Sequence, residues 1–218
     1  MMRKIILFVI TLSVLTGLNL CAFGQDQSGK NTGVRQHDGF YLSMGIGPAF
    51  GSIRDDLIGD PLELNIKGTG IDMDLKIGTA VAENMILHGT LTGKLLTAPI
   101  VKVIGTPNVV APPTLNVDEF MFGGGLTYYV MPINIFFSGS CGLGWFSILD
   151  DTRSIKNIRT QPGFSMQLKA GKEWWILDNW GLGAAITYSK TSLTYTSDGE
   201  SEKLDSNRFG LLLNLTFN

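Results

Sequence analysis

Alternation organises this chain. Near its C-terminus Phe209, Leu211, Leu213, Leu215 and Phe217 take every second position, with Gly210, Asn214 and Thr216 between them. Period-two spacing predicts a β-strand with one apolar and one polar face. The pattern recurs upstream: Phe40, Leu42, Met44 and Ile46 against Tyr41, Ser43, Gly45 and Gly47, then Ile71, Met73, Leu75 and Ile77 against Asp72, Asp74, Lys76 and Gly78. Leu87, Leu91 and Leu95 oppose His88, Thr90, Thr92 and Lys94, and Phe120, Phe122, Leu126, Tyr128 and Val130 oppose Met121, Gly123, Gly125 and Thr127. Ile135, Phe137, Cys141, Leu143 and Trp145 follow, then Phe164, Met166, Leu168 and Ala170, then Trp180, Leu182, Ala184, Ile186 and Tyr188. With the terminal stretch these make about eight strands. The connections alternate long (52–69), short (83–85), long (97–117), short (131–133), long (149–161), short (176–179) and long (190–207). That rhythm predicts an all-β fold, an eight-stranded antiparallel up-and-down transmembrane β-barrel with both termini on the short-turn side.

The apolar stripes need a medium. Facing outward they would meet hydrocarbon; facing inward they would line a secreted lipocalin around a ligand. The opposite face decides between them. It is rich in glycine and carries Asp72, Asp74, Lys76, Lys94, Lys169, Glu173 and Arg208, which suits a narrow lumen where charges pair across strands. Folding the second and third strands about their short turn sets Asp74 opposite Lys94, a structural ion pair of the lumen. Trp174, Trp175 and Trp180 flank one short turn and Tyr128 and Tyr129 another, where interfacial aromatics belong.

The N-terminus has an export pattern. Arg3 and Lys4 precede an apolar run over 5–20, and Ala22-Phe23-Gly24 supplies the small residues of a cleavage site. The reading is a signal peptide over 1–24, a flexible periplasmic leader over 25–38 and a barrel domain over 39–218. A lipoprotein centred on Cys21 is the competitor, and Leu20 sits where it needs a small residue. The chain has 17 Lys+Arg and 19 Asp+Glu; without Arg3 and Lys4 the balance is 15 against 19, a net charge of −4 that argues against a nucleic-acid partner. The mean hydropathy of +0.18 fits a chain in which alternate residues face lipid. Cys141 would be the one cysteine left after cleavage, so no internal disulfide is expected.

Two resemblances follow from these residues. Arg208, Gly210, Leu213, Leu215 and Phe217 resemble the C-terminal assembly signal of bacterial outer-membrane proteins, except that Asn218 follows the aromatic. The turns at 81–85, 128–134 and 171–181 look like those of the small outer-membrane β-barrel domain family, related in design to OmpA, OmpX and OmpW. The resemblance implies an outer-membrane location, surrounding lipid and the barrel assembly machinery as partners, and no shared catalytic residues. Asn218, beyond the lipid-facing stripe, has no evident face to fill, and its removal is expected to be mild.

Candidate chemistry is sparse. His88 invites comparison with outer-membrane lipid A deacylases that use His, Ser and Glu, but Thr90 stands at the third position, no carboxylate follows on that strand, and both side chains point to the lumen. No cofactor or metal is expected. Gly45-Ile46-Gly47-Pro48 lacks the lysine and helix of a phosphate loop and reads as strand. Cys141 should face lipid, and Lys172 should snorkel at the periplasmic rim. The apolar segment 97–117 should pack on the barrel rim, and the acidic segment 191–206 should be a solvated face. Either could meet a surface ligand. The leading expectation is a non-enzymatic barrel with a structural or surface-contact role. A narrow OmpW-like passage for small apolar molecules comes second and a lipid-modifying enzyme third.

Overall fold

The computed structural model describes residues 36–57, 63–97, 99–103, 109–110, 115–150, 158–197 and 200–218. The expected signal peptide and most of the leader lie outside them. The chain forms β1 (Phe40–Leu57), β2 (Glu63–Ala82), β3 (Met85–Thr97), β4 (Ile100–Val103), β5 (Val109–Val110), β6 (Leu115–Val130), β7 (Ile135–Asp150), β8 (Ile158–Arg159), β9 (Gly163–Trp175), β10 (Trp180–Ser197) and β11 (Glu200–Phe217). Eight of these are long, and each pairs antiparallel with the next, β1-β2-β3-β6-β7-β9-β10-β11, before β11 returns to β1. The ring is closed, as the alternation predicted, so the long strands leave no free edge.

The parity holds throughout. Leu213 is 66% exposed and Phe122 64%, while Lys76, Lys94, Glu119 and Asn214 on the opposite face are each 1% exposed. Two of the short turns carry a left-handed residue, Asn84 (φ 58°) and Asn134 (φ 54°), a conformation asparagine tolerates better than most side chains.

The strands run well past the apolar stripe, and here the expected loops are corrected. Most of 52–69 is strand, with β1 paired to β2 as far as Asp56 and Glu63. Most of 191–206 is also strand, Thr191 lying level with Ser206 and Ser197 with Glu200. Part of 97–117 forms β4, which adds to β2 from Leu64 to Lys67 and so packs on the rim by extending the sheet. These extensions keep the parity but exchange polarity. Ile53, Leu96, Val117, Phe146, Leu193 and Leu204 turn inward and form an apolar cluster, while Arg54, Lys67, Lys190 and Lys203 face out and are exposed. Outside the bilayer the barrel has the interior of a soluble protein, each buried side chain contributing about 1.5–3 kcal/mol. Where β9 stops, Gln161 continues the ladder against β10 with its side-chain amide, donating to the Thr196 carbonyl and accepting from its N–H, both at 3.2 Å.

The β1–β11 seam has one gap. Its pairs run from Leu42↔Phe217 to Ile46↔Leu213 and resume at Ala49↔Gly210. Pro48 lies between and has no N–H to give the Leu211 carbonyl.

A closed barrel of this kind should run faster on a gel unheated than boiled, and recovery as a soluble periplasmic monomer would overturn it. Leu213→Lys places a charge mid-strand on the apolar face and should cost about 2–4 kcal/mol, read as a lower urea midpoint and a smaller heat-modifiable fraction. An unchanged midpoint would mean that this face does not meet lipid.

Candidate functional site

The inward side chains fill the lumen in layers. At the short-turn end Tyr41, Ile86, Tyr129, Phe136 and Ala185 form a second apolar cluster, so the polar middle lies between two caps. In that middle, Glu119 of β6 accepts from Thr191 at 2.6 Å and Ser206 at 2.7 Å, and pairs with Arg208 Nε at 2.8 Å and Lys94 Nζ at 3.4 Å. One carboxylate thereby ties β6 to β3, β10 and β11. Lys169 of β9 reaches across the barrel to both oxygens of Asp74, at 3.0 and 2.9 Å, and also donates to Asn214. Glu173 accepts from Asn214 and Thr216, both at 2.7 Å. Lys76 donates to Ser140 and Gln167, both at 3.1 Å. His88 is held between Thr90 and Thr127, each at 2.9 Å, inside the lumen and away from lipid.

The expected Asp74–Lys94 pair is corrected. The β2–β3 register shifts by one residue between Ala80 and Ala82, and along the strands Lys94 lies level with Asp72 and Asp74 with Thr92, two residues from the expected pairing. A bulged residue moves every later pairing along the strand. Lys94 turns to Glu119, and Asp72 accepts from Thr187 at 3.1 Å.

The five aromatics expected at the interface divide between the two faces. Tyr128 and Trp174 face outward at 53% and 56% exposure, and Trp180 packs edge-on against Phe217 at 5.2 Å. Tyr129 is fully buried, and Trp175 takes the inward parity, because adjacent strand residues cannot share a face. Lys172 lies at the rim, donating to the Ile133 carbonyl and lying over the Trp174 ring. Cys141 is exposed on the outer face. Of the C-terminal motif, Arg208 and Gly210 point inward, Leu213 outward, and Leu215 and Phe217 end the outward stripe, half-buried.

The last residues of the expected leader are built into the structure. His37 is fully buried and stacks on Tyr129 at 3.5 Å and Trp175 at 4.9 Å between ring centroids. Its backbone N–H donates to Asn84 Oδ1, its Nε2 lies 2.9 Å from Asn134 Oδ1, and its Nδ1 lies 3.2 Å from Asn218 Oδ1. Asn218 also donates through its side chain to the Asp38 carbonyl and through its backbone to that of Asn179. The final residue therefore locks the short-turn mouth, contrary to the expectation that it fills no face. Burial holds the His37 pKa below its usual 6.5, favouring a neutral ring, which can donate to only one of the two asparagine oxygens that face it. The available signal in the sequence was an asparagine at three short turns, Asn84, Asn134 and Asn179, and another at the chain end.

No family model matches the chain, and no curated protein does. Solved structures do. Neisserial surface protein A aligns over 82% of this chain and 96% of its own at 12% identity with a TM-score of 0.52. OprG from Pseudomonas aeruginosa aligns over 85% and 99% at 13% identity with a TM-score of 0.53. The fold is that of the small outer-membrane β-barrels. Together with the apolar belt, it places this chain in the bacterial outer membrane; barrels of that kind keep their short turns in the periplasm and their longer connections outside.

Asp74→Ala and Lys169→Ala should each cost about 3–5 kcal/mol, and the double variant should recover part of the loss, a coupling of about 1 kcal/mol or more in unfolding measurements. Asp74→Ala and Lys94→Ala should instead be nearly additive. At the mouth, a folded pKa below the unfolded one means that the stability contributed by neutral His37 is fully present above about 6.5 and is lost as pH falls below it. Trp175 fluorescence should follow that loss, and His37→Gln should remove the dependence.

Proposed function

We propose that this outer-membrane barrel is non-enzymatic and acts through its exterior and its extracellular extension, in envelope integrity or surface contact. The observation that carries this reading is the lumen, capped at one end by Tyr41, Tyr129 and Phe136, at the other by Ile53, Phe146 and Leu204, and filled between by paired charges. Ion pairs within the lumen, Glu119 with Lys94 and Arg208 and Asp74 with Lys169, support a structural role for the polar face. His88 between two threonines supports the same role, away from any lipid substrate. On this reading Arg208, Gly210, Leu213, Leu215 and Phe217 serve as the signal to the assembly machinery, and 97–117 and 191–206 present the surface for a ligand.

Reconstituted protein should give no porin-sized current and no liposome flux of small apolar solutes, since a barrel of this size holds little beyond its own side chains. Stable conductance, or flux abolished by a bulky lumen substitution, would overturn the proposal in favour of a passage. A strain lacking the protein, complemented with the barrel after replacement of residues 104–114, separates the two exterior roles. Restored envelope integrity assigns the role to the barrel, and persistent loss assigns it to the surface segment.

A further inference from the structure

The lipid-facing wall is not smooth. A hollow of about 630 Å3 crosses β1, β11, β10, β9 and β7, bordered above by Phe50, Tyr188 and Phe209 and below by Phe137, Ala170 and Leu211. The register gives it a slant: Leu168, Tyr188, Phe209 and Phe50 lie on one row, and Phe137, Ala170, Ile186 and Leu211 on the next toward the periplasm. Gly139 belongs to the lining, and a Cβ there would meet only Leu168 Cδ2 at 3.8 Å. Backbone geometry therefore does not demand glycine at this place. The absent side chain keeps the hollow open.

Immediately above runs a polar row in which Lys190 lies level with Asn207 and Asn207 with Ser52. The Tyr188 hydroxyl donates to Asn207 Oδ1 at 2.9 Å and joins this row to the top of the hollow. The charge on this side is selective. Among the described residues of the extracellular extension, the exposed charged side chains are Arg54, Lys67, Lys102, Arg159, Lys190 and Lys203, all cations, while Asp55, Asp56, Glu202 and Asp205 are half-buried, Asp205 pairing with Lys203 at 3.2 Å and also lying within electrostatic reach of Lys190. Arg159 lies 4.8 Å from the centre of the outward Trp145 ring, which holds a guanidinium at the boundary between apolar belt and extension.

We propose that the hollow seats one acyl chain of a phosphorylated glycolipid of the outer leaflet, with a phosphate of its headgroup on Lys190. A slanting apolar trough that opens under a cation matches an anionic amphiphile, whose chain and head each meet their own chemistry. The site rests on the outer-membrane placement and is independent of the surface-contact reading.

The test uses full-length mature protein refolded from urea into detergent, free of cell lipid. It is titrated with bisphosphorylated lipid A, with dephosphorylated lipid A and with phosphatidylglycerol, and retained lipid is counted by native mass spectrometry. Bisphosphorylated lipid A should be held about tenfold more tightly than either alternative, and Gly139→Leu and Lys190→Glu should each weaken it about tenfold while heat-modifiable migration is preserved. Ala170→Leu fills the same trough from β9 and replaces Gly139→Leu if that variant does not fold. Undiminished retention by the trough-filling variant overturns the acyl site. Equal retention of dephosphorylated lipid A overturns the phosphate contact, and equal retention of phosphatidylglycerol overturns the assignment to the outer leaflet.

Discussion

Eight strands close a circle so narrow that inward polar groups find their partners mostly among other inward groups, although Asp72 Oδ1, Gln167 Nε2 and both Arg208 Nη atoms have none. Much of the interior follows from that constraint. Glu119 gathers Lys94, Arg208, Thr191 and Ser206 from three neighbouring or facing strands, and Lys169 bridges the lumen to Asp74. Such charges are costly to bury singly and tolerable when paired and hydrogen-bonded. The apolar clusters at either end close over these pairs.

The alternation was legible because lipid imposes it residue by residue. Phe209 to Phe217 could be read without any knowledge of neighbours, and the outward face matched wherever apolar side chains marked it. What could not be read was everything that depends on distance across the barrel. Asp74 and Lys169 are 95 positions apart, and nothing local joins them. The Asp74–Lys94 expectation failed by a two-residue slip, of which the irregularity between Ala80 and Ala82 supplies one residue. Tyr129 and Trp175 stand beside turns where aromatics often mark an interface, yet their parity turns them inward.

The strand ends were misjudged for a different reason. Expectation tied a strand to outward apolar residues, yet beyond Phe50, Tyr188 and Phe209 the strands continue with Ile53, Leu193 and Leu204 turned inward. Parity is a property of the backbone, and polarity is a property of the surroundings. When the surroundings change from lipid to water, the same parity carries the opposite pattern. The periplasmic closure was hidden more deeply, because His37 and Asn218 stand at opposite ends of the barrel sequence and meet only once the ring is complete.

The gap at Pro48 divides the closing seam into two zippers. One block pairs Leu42–Ile46 with Leu213–Phe217, and the other pairs Ala49–Leu57 with Glu202–Gly210. Each block can align its own hydrogen bonds without the other, so ring closure is separable into a periplasmic half anchored by Asn218 and an outer half anchored by the apolar core above the bilayer. First and last strands are thus joined as two clasps on one cylinder, with Pro48 at the break between them.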